Sequence, residues 1–239
     1  MEDIKVTDIH SHLIWGVDDG SRSLDMSLEM IRMGAAQGVS RIFCTPHFSS
    51  QFHAYTNENI KRKFEILREK AAGECELYLG QEIFAGSEVP DMLREGRLLT
   101  MANSRYVLVE FYPWENFYNM VKLVREMVMD SYRPILAHIE RYKELSDLGK
   151  VEALIEQGAY MQMNLSDISG KFLDKTAAYC RNALENGLIH FLGTDMHDTA
   201  KRTPRLTEAL KWMDKKLDED YVRDICTRNA DKIINDQRL

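Results

Sequence analysis

The chain is poor in the features that mark several protein classes. Its four cysteines, Cys44, Cys75, Cys180 and Cys226, are widely scattered and form no CxxC pair. That spacing points away from a disulfide framework and from a zinc knuckle, leaving buried, reduced thiols as the expectation. No apolar run approaches the roughly 18–20 residues needed to cross a bilayer. The opening stretch, MEDIKVTDIHSH, has neither the basic start nor the long apolar core of a signal peptide, so a cytoplasmic protein is expected. A basic block is also missing: the formal net charge is −7, which argues against nucleic acid as a partner. The five prolines, Pro46, Pro90, Pro113, Pro134 and Pro204, all fall at plausible element edges. With no stretch jointly rich in Pro, Gly and Ser, and no tandem repeat, a single domain over 1–239 is the default.

What is present alternates. Val6–Ile9 reads as a strand; Leu24, Leu28, Ile31 and Ala35 then recur at helical spacing, and Gly38 ends the stripe. Further strands are predicted at 41–45, 76–83, 106–111, 133–138, 159–164 and 189–195. Helices are predicted at 57–72, 88–95, 117–131, 148–158, 172–186, 204–217 and 219–235. Short, largely apolar strands alternating with helices imply parallel strands joined by right-handed crossovers. Seven such units predict a closed or nearly closed α/β barrel.

The polar residues have a common register. The stretch TDIHSH ends the first strand in His10 and His12, which alternation along a strand places on one side. Two neutral imidazoles facing one point make a metal-ligand pair, although an isolated HxH is more often a pair of exposed or hydrogen-bonded histidines. The pattern repeats, however. The second strand runs into His47, the third ends with Glu82, the fourth with Glu110 and the fifth with His138. The seventh ends with Asp195, His197 follows, and Asp19 sits in the first loop, VDDG. In (β/α) barrels the carboxyl ends of the strands are where active sites form. Nine such groups converging without cations would carry a large desolvation and repulsion cost, which divalent ions remove. One tetrahedral ion uses three or four ligands, so nine imply more than one. Imidazole and carboxylate without thiolate suit Mn²⁺, Fe²⁺ or Zn²⁺.

Taken in order, DIHSHLIWGVDDG, TPH, GQEI, VEF, AHIER and GTDMH resemble the PHP (polymerase and histidinol phosphatase) superfamily. More narrowly, the first two segments look like the bacterial CpsB/CapC/YwqE-type protein-tyrosine phosphatases. The similarity runs from about residue 7 to 204, and RNADKIIND resembles that family's closing helix. The resemblance implies a distorted (β/α)₇ TIM-like barrel (the PHP fold) holding three divalent ions, usually Mn²⁺. Carried over, one ion would take His10, His12, Glu82 and Asp195. A second would take Asp19, His47 and His197, and a third Glu82, Glu110 and His138. Arg141 and Arg202 match family arginines that hold phosphate; the alternative reading of each is an ordinary surface salt bridge. The substrate implied is phosphotyrosine near the C-terminus of a tyrosine kinase governing capsule or exopolysaccharide export. The chain departs from the family at Ile14-Trp15 and at Phe48, read as substrate-rim positions.

Bound divalent ions would acidify a water to near neutrality, giving a nucleophile that depends on no side chain. Thiol chemistry does not fit: a phosphate-binding loop needs arginine six residues after the cysteine, and those positions are Ser50, Gln81, Asn186 and Lys232. His190 opens the seventh strand at the far end of the barrel and reads as structural. His53, with Phe48, Phe52 and Tyr55 in the 46–56 loop, could pack on an aromatic phosphoester or merely close the barrel edge. Three other functions fit less of the pattern: a histidinol-phosphate-type phosphatase, an amidohydrolase, and a binding module that keeps metal for structure.

Overall fold

The computed structural model describes residues 5–48, 55–170 and 173–239. Among them, parallel strands run β1 (Val6–Ser11), β2 (Val39–Cys44), β3 (His47–Phe48), β4 (Glu76–Leu79), β5 (Glu82–Phe84), β6 (Tyr106–Glu110), β7 (Arg133–Leu136), β8 (Tyr160–Asn164) and β9 (Phe191–Gly193). Helices α1 (Leu24–Ala35), α2 (Asn57–Lys70), α3 (Val89–Arg94), α4 (Phe117–Met129), α5 (Leu148–Glu156), α6 (Leu165–Ile168) and α7 (Lys175–Glu185) fill the crossovers. The chain ends in α8 (Thr207–Lys216), α9 (Glu219–Arg223) and α10 (Asn229–Ile234). The expected alternation is therefore present, as are the helix starts: the side chains of Ser23, Thr56 and Asn116 each accept the N–H three residues on.

Two predicted strands are broken. The 76–83 stretch divides at Gly80-Gln81, and the strand beginning near 41 stops at Cys44 and resumes at His47. As a result β1-β2-β4 form one sheet and β3-β5-β6-β7-β8-β9 another. Single bonds carry the ladder across the step: Thr45 N–H donates to Ser11 O, Gly80 N–H to Cys44 O and Glu82 N–H to Pro46 O, at 2.8, 2.9 and 3.1 Å. The ring then closes, because Asp195 N–H donates to His10 O at 2.8 Å and His12 N–H to Met196 O at 3.0 Å. The result is a distorted barrel, open between β4 and β6 toward the amino ends of the strands.

Its interior there is apolar. Ile9, Phe43, Tyr106, Leu108, Ile135 and Phe191 form a cluster that Ala230 and Ile233 of α10 cap from below. The Tyr106 hydroxyl donates to Gln237 O at 2.8 Å, and Arg133 donates to Asp236 and Gln237, both at 3.0 Å, which fastens the C-terminal segment. A larger apolar layer lies between strands and helices. With the amino end filled, the polar residues are left at the carboxyl end, where the loops are. No helix among the described residues is long and apolar enough to cross a membrane.

The rim reading of Ile14 is not met, since that side chain is fully buried in the outer core. Trp15 is half-buried, with the Lys63 ammonium 5.5 Å over its ring and bonded to its carbonyl at 2.7 Å. His53 and Phe52 lie outside the described residues.

Candidate metal centre

His10 and His12 do meet, with Nε2 atoms 3.3 Å apart, but β1 is not a regular strand there. Its pairing with β2 shifts between Asp8 and Ser11, and Asp8 Oδ1 accepts the His10 N–H at 3.1 Å. Such a bulge re-aims side chains. Asp8 is fully buried; Thr194 donates to it through both N–H and hydroxyl, at 2.9 and 2.5 Å, tying β1 to β9. Burial raises its pKa to about 6 even against those bonds. Gly193 fits beneath: a Cβ there would lie 2.6 Å from that of His10.

The nine predicted residues come together at the carboxyl mouth. One ligand atom from each of His12, Asp19, His47 and His197 falls within 4.8 Å of the others. The same holds for His10, His12 and Asp195, for His10, Glu82 and His138, and for His47, Glu82 and Glu110. His138 Nε2 lies 2.9 Å from Glu82 and 3.4 Å from Glu110. His47 thus approaches Glu82 and Glu110 as well as Asp19, and His12 stands beside both His10 and His197.

The tautomers show what the pocket is built to receive. His12 Nδ1–H donates to Asp18 at 2.9 Å, His10 Nδ1–H to the Gln162 side-chain oxygen at 3.1 Å, and His197 Nδ1–H to Asp195 O at 2.9 Å. None of these acceptors can donate in return, so each ring in its neutral form presents the lone pair of Nε2 to the shared space. The Gln162 oxygen is fixed because it also accepts the His138 backbone N–H, at 2.7 Å. His197 Nε2 and Glu82 Oε2 are buried without a hydrogen-bond partner. Glu82 Oε2 nonetheless lies 3.0 to 3.3 Å from nitrogens of His47, His10 and His12. Converging lone pairs around unpartnered buried atoms are what a cation would satisfy.

The titrations reflect the same demand for positive charge. Burial alone would lift the carboxyls of Glu82 and Asp195, but His10 with His47, and His10 with Arg141, hold them well below the usual range. Burial would likewise lower His12, yet Asp18, Asp195 and Glu82 keep it well above its ordinary value. His138 is raised to about 9 against burial, by Glu110 and Glu82. His197 goes the other way, lowered by burial and by His12 beside it.

Two ligand candidates sit in left-handed backbone, His138 at φ 33° and Asp195 at φ 51°. Non-glycine residues in that region cost on the order of 1–3 kcal/mol and gather at functional sites. Here the bonds from His138 N–H to Gln162 and from Asp195 N–H to His10 hold them. Asp195 faces two ways. One oxygen lies 3.3 to 3.7 Å from His12, His197 and His10; the other accepts from Arg141 and Arg202 at 2.6 and 2.8 Å. Both arginines keep exposed side chains, 38% and 40%, while their guanidinium groups reach in to the buried Asp195 carboxylate.

Sequence reasoning missed three positioning residues. Asp18, neighbour of the predicted Asp19, orients His12 and also accepts the His47 N–H at 3.0 Å. Gln162 braces His10 and His138, and donates to Asn164 at 3.0 Å, which donates to Asp195 at 3.2 Å. The cue was two polar residues at alternate positions of a strand with no ligand.

Residues 6–235 match the family described as "Capsular polysaccharide synthesis, CpsB/CapC". The chain belongs to the CpsB/CapC family. One of its CpsB/CapC relatives is the tyrosine-protein phosphatase CpsB of Streptococcus agalactiae serotype III. It is 30% identical over 241 residues, covering 97% of this chain and 99% of that protein. Tyrosine-protein phosphatase YwqE of Bacillus subtilis is 27% identical, covering 97% and 92%. A chain from the crystal structures of Bacillus subtilis YwqE and Streptococcus pneumoniae CpsB, described as unique metal-dependent tyrosine phosphatases, superposes with TM-score 0.89. It is 27% identical and covers 98% of this chain and 96% of that one. An amidohydrolase from Mycoplasma synoviae, 10% identical at TM-score 0.65 with 98% and 89% covered, shares the fold alone.

Proposed function

We propose that this chain is a metal-dependent protein-tyrosine phosphatase. The observation that supports it most is the set of imidazole Nε2 lone pairs and buried carboxylate oxygens converging beside two arginines, in a chain whose full-length relatives are tyrosine phosphatases. In this reading His10, His12, Asp19, His47, Glu82, Glu110, His138, Asp195 and His197 hold three divalent ions. Mn²⁺ is the first choice, with Fe²⁺ or Zn²⁺ next. Bound there, such ions would supply an acidified water and neutralise phosphoryl oxygens.

The chain's own residues do the rest. Asp18 and Gln162 fix the tautomers of His12 and His10, so that neither ring turns an N–H toward the ions. Asp195 couples the ligand cluster to the clamp: with one oxygen among the imidazoles, the other aims the guanidinium groups of Arg141 and Arg202. Each fork keeps further N–H groups for a phosphate, whose charge it matches in planar, paired geometry. A tyrosine leaving group has a pKa of about 10, so it departs with less protonation than an alkyl alcohol requires. The substrate proposed is phosphotyrosine in the C-terminal tail of a tyrosine kinase that governs capsule or exopolysaccharide export, and the phosphatase itself is placed in the cytoplasm.

Phosphate release from a phosphotyrosyl peptide should require added divalent ion, and His138→Ala should lose it at least 100-fold. Clear preference for histidinol phosphate in the same Mn²⁺-loaded protein would assign a small-molecule phosphatase instead.

A further inference from the structure

Among the described residues, exposed large apolar side chains are mostly scattered singly, as at Ile66, Met129 and Leu173. The exception is the segment after β6, FYPWENFY (111–118), where Tyr112, Trp114 and Tyr118 are 48%, 73% and 75% exposed. Tyr112 and Trp114 are stacked, with centroids 5.4 Å apart and planes at 14°, and Phe84 meets the Tyr112 ring edge-on at 4.4 Å. The backbone beneath is tied down. Glu115 N–H donates to Tyr112 O and Lys143 N–H to Pro113 O, both at 2.9 Å, and Phe111 N–H donates to the Tyr142 hydroxyl at 3.1 Å. An ordered turn therefore holds flat aromatic faces out in water, which is costly unless something binds them.

The location identifies the occupant. Phe84 lies two residues beyond Glu82, hence on its face of the strand, and pairs in register with Glu110. Tyr112 lies two residues beyond Glu110. The shelf is thus the next tier out from the ligand cluster, continuous with the catalytic mouth. Glu115, within the turn itself, accepts from Asn116 N–H and the Asn119 amide at 3.1 and 2.7 Å, which holds its carboxylate against the start of α4.

We propose that the Phe84–Tyr112–Trp114 shelf is the docking surface for the polypeptide of the substrate, taking an aliphatic or aromatic side chain next to the phosphotyrosine. This rests on the phosphatase reading. With phosphate at the cluster, the tyrosine ring points outward and its main chain reaches the level of Phe84 and Tyr112. A flanking residue then lies over Trp114. A small phosphoester is too short to reach the shelf.

The test uses the full chain loaded with Mn²⁺ and compares Trp114→Ala, Tyr112→Ala and Trp114→Phe with the parent. Substrates are a phosphotyrosyl peptide carrying leucine on both sides of the phosphotyrosine, the same peptide with glycine there, and para-nitrophenyl phosphate. Truncation of a well-placed aromatic anchor predicts about a tenfold rise in KM for the leucine peptide. Unchanged kcat, para-nitrophenyl phosphate turnover within about twofold and retention by Trp114→Phe complete the expectation. The parent should also prefer the leucine peptide to the glycine peptide. Equal loss on all substrates, no loss on any, or a shift from dimer to monomer on gel filtration in the alanine variants overturns the proposal. A parent that cleaves none of the peptides defeats the phosphatase reading instead; one that cleaves them, with variants that match it, defeats the shelf alone.

Discussion

Asp18→Asn should weaken metal binding without unfolding the chain. The Asp18 carboxylate is fully buried and accepts three bonds: His12 Nδ1–H at 2.9 Å, His47 N–H at 3.0 Å and Gly20 N–H at 3.0 Å. His12 holds it below the usual carboxylate range in spite of burial. An amide cannot replace it. If its oxygen keeps His12 and His47, its NH₂ faces the Gly20 N–H, donor against donor. If it turns over, the NH₂ faces His12 Nδ1, and the proton moves to Nε2, the atom aimed at the ions. Loss of a charge-assisted bond costs about 1.5–3 kcal/mol, or roughly 10–100-fold in affinity at about 1.4 kcal/mol per decade. That range agrees with the usual effect of removing a carboxylate behind a ligating histidine, about 10–100-fold. The assay is phosphate release from a phosphotyrosyl peptide by chelator-stripped protein, titrated with Mn²⁺. The midpoint should rise by that factor and kcat should recover at saturation, with circular dichroism unchanged. A midpoint equal to that of the parent would refute the role given to Asp18.

Two further outcomes follow from buried groups elsewhere. All four cysteines are buried, and burial raises every thiol, Cys75 to about 11 and Cys226 to about 12; iodoacetamide should therefore leave activity intact, and alkylation-linked inactivation of the native protein would count against metal-based chemistry. His190 Nδ1 accepts the Met161 N–H at 3.1 Å, and burial lowers its pKa to about 4. The unfolded chain takes up that proton near pH 6.5 and the folded chain only near 4, so stability falls as pH drops through this window. The shift corresponds to roughly 3 kcal/mol, discounted to about 2 because the ring is partly exposed. Urea unfolding in chelator at about pH 7 and pH 4.5 should show His190→Asn, which keeps an acceptor, losing about 2 kcal/mol less than the parent; equal losses would show that His190 is not the proton-linked group.

The barrel was readable because its evidence is repetitive: seven apolar strands alternating with helices, most ending in a ligand-type residue, specify one register many times over. The breaks at Gly80-Gln81 and after Cys44 were not readable, because apolar runs on either side of a step look continuous whichever sheet they join. The same distinction separates the two kinds of site residue. A ligand must be imidazole or carboxylate at a strand end, which a sequence displays openly. A positioning residue needs only one hydrogen-bonding atom at the right place, and that place is fixed by neighbouring strands. The strand MQMN ended without a ligand and so drew attention away from the centre, yet Gln162 reaches His10 across to β1 and His138 beyond β7, while Asn164 reaches Asp195 after β9. Asp18 and Asp19 show the limit within two letters. Only the turn that seats Gly20 against His12, where a Cβ would come within 2.4 Å, decides which carboxylate goes behind the imidazole and which faces His47 and His197.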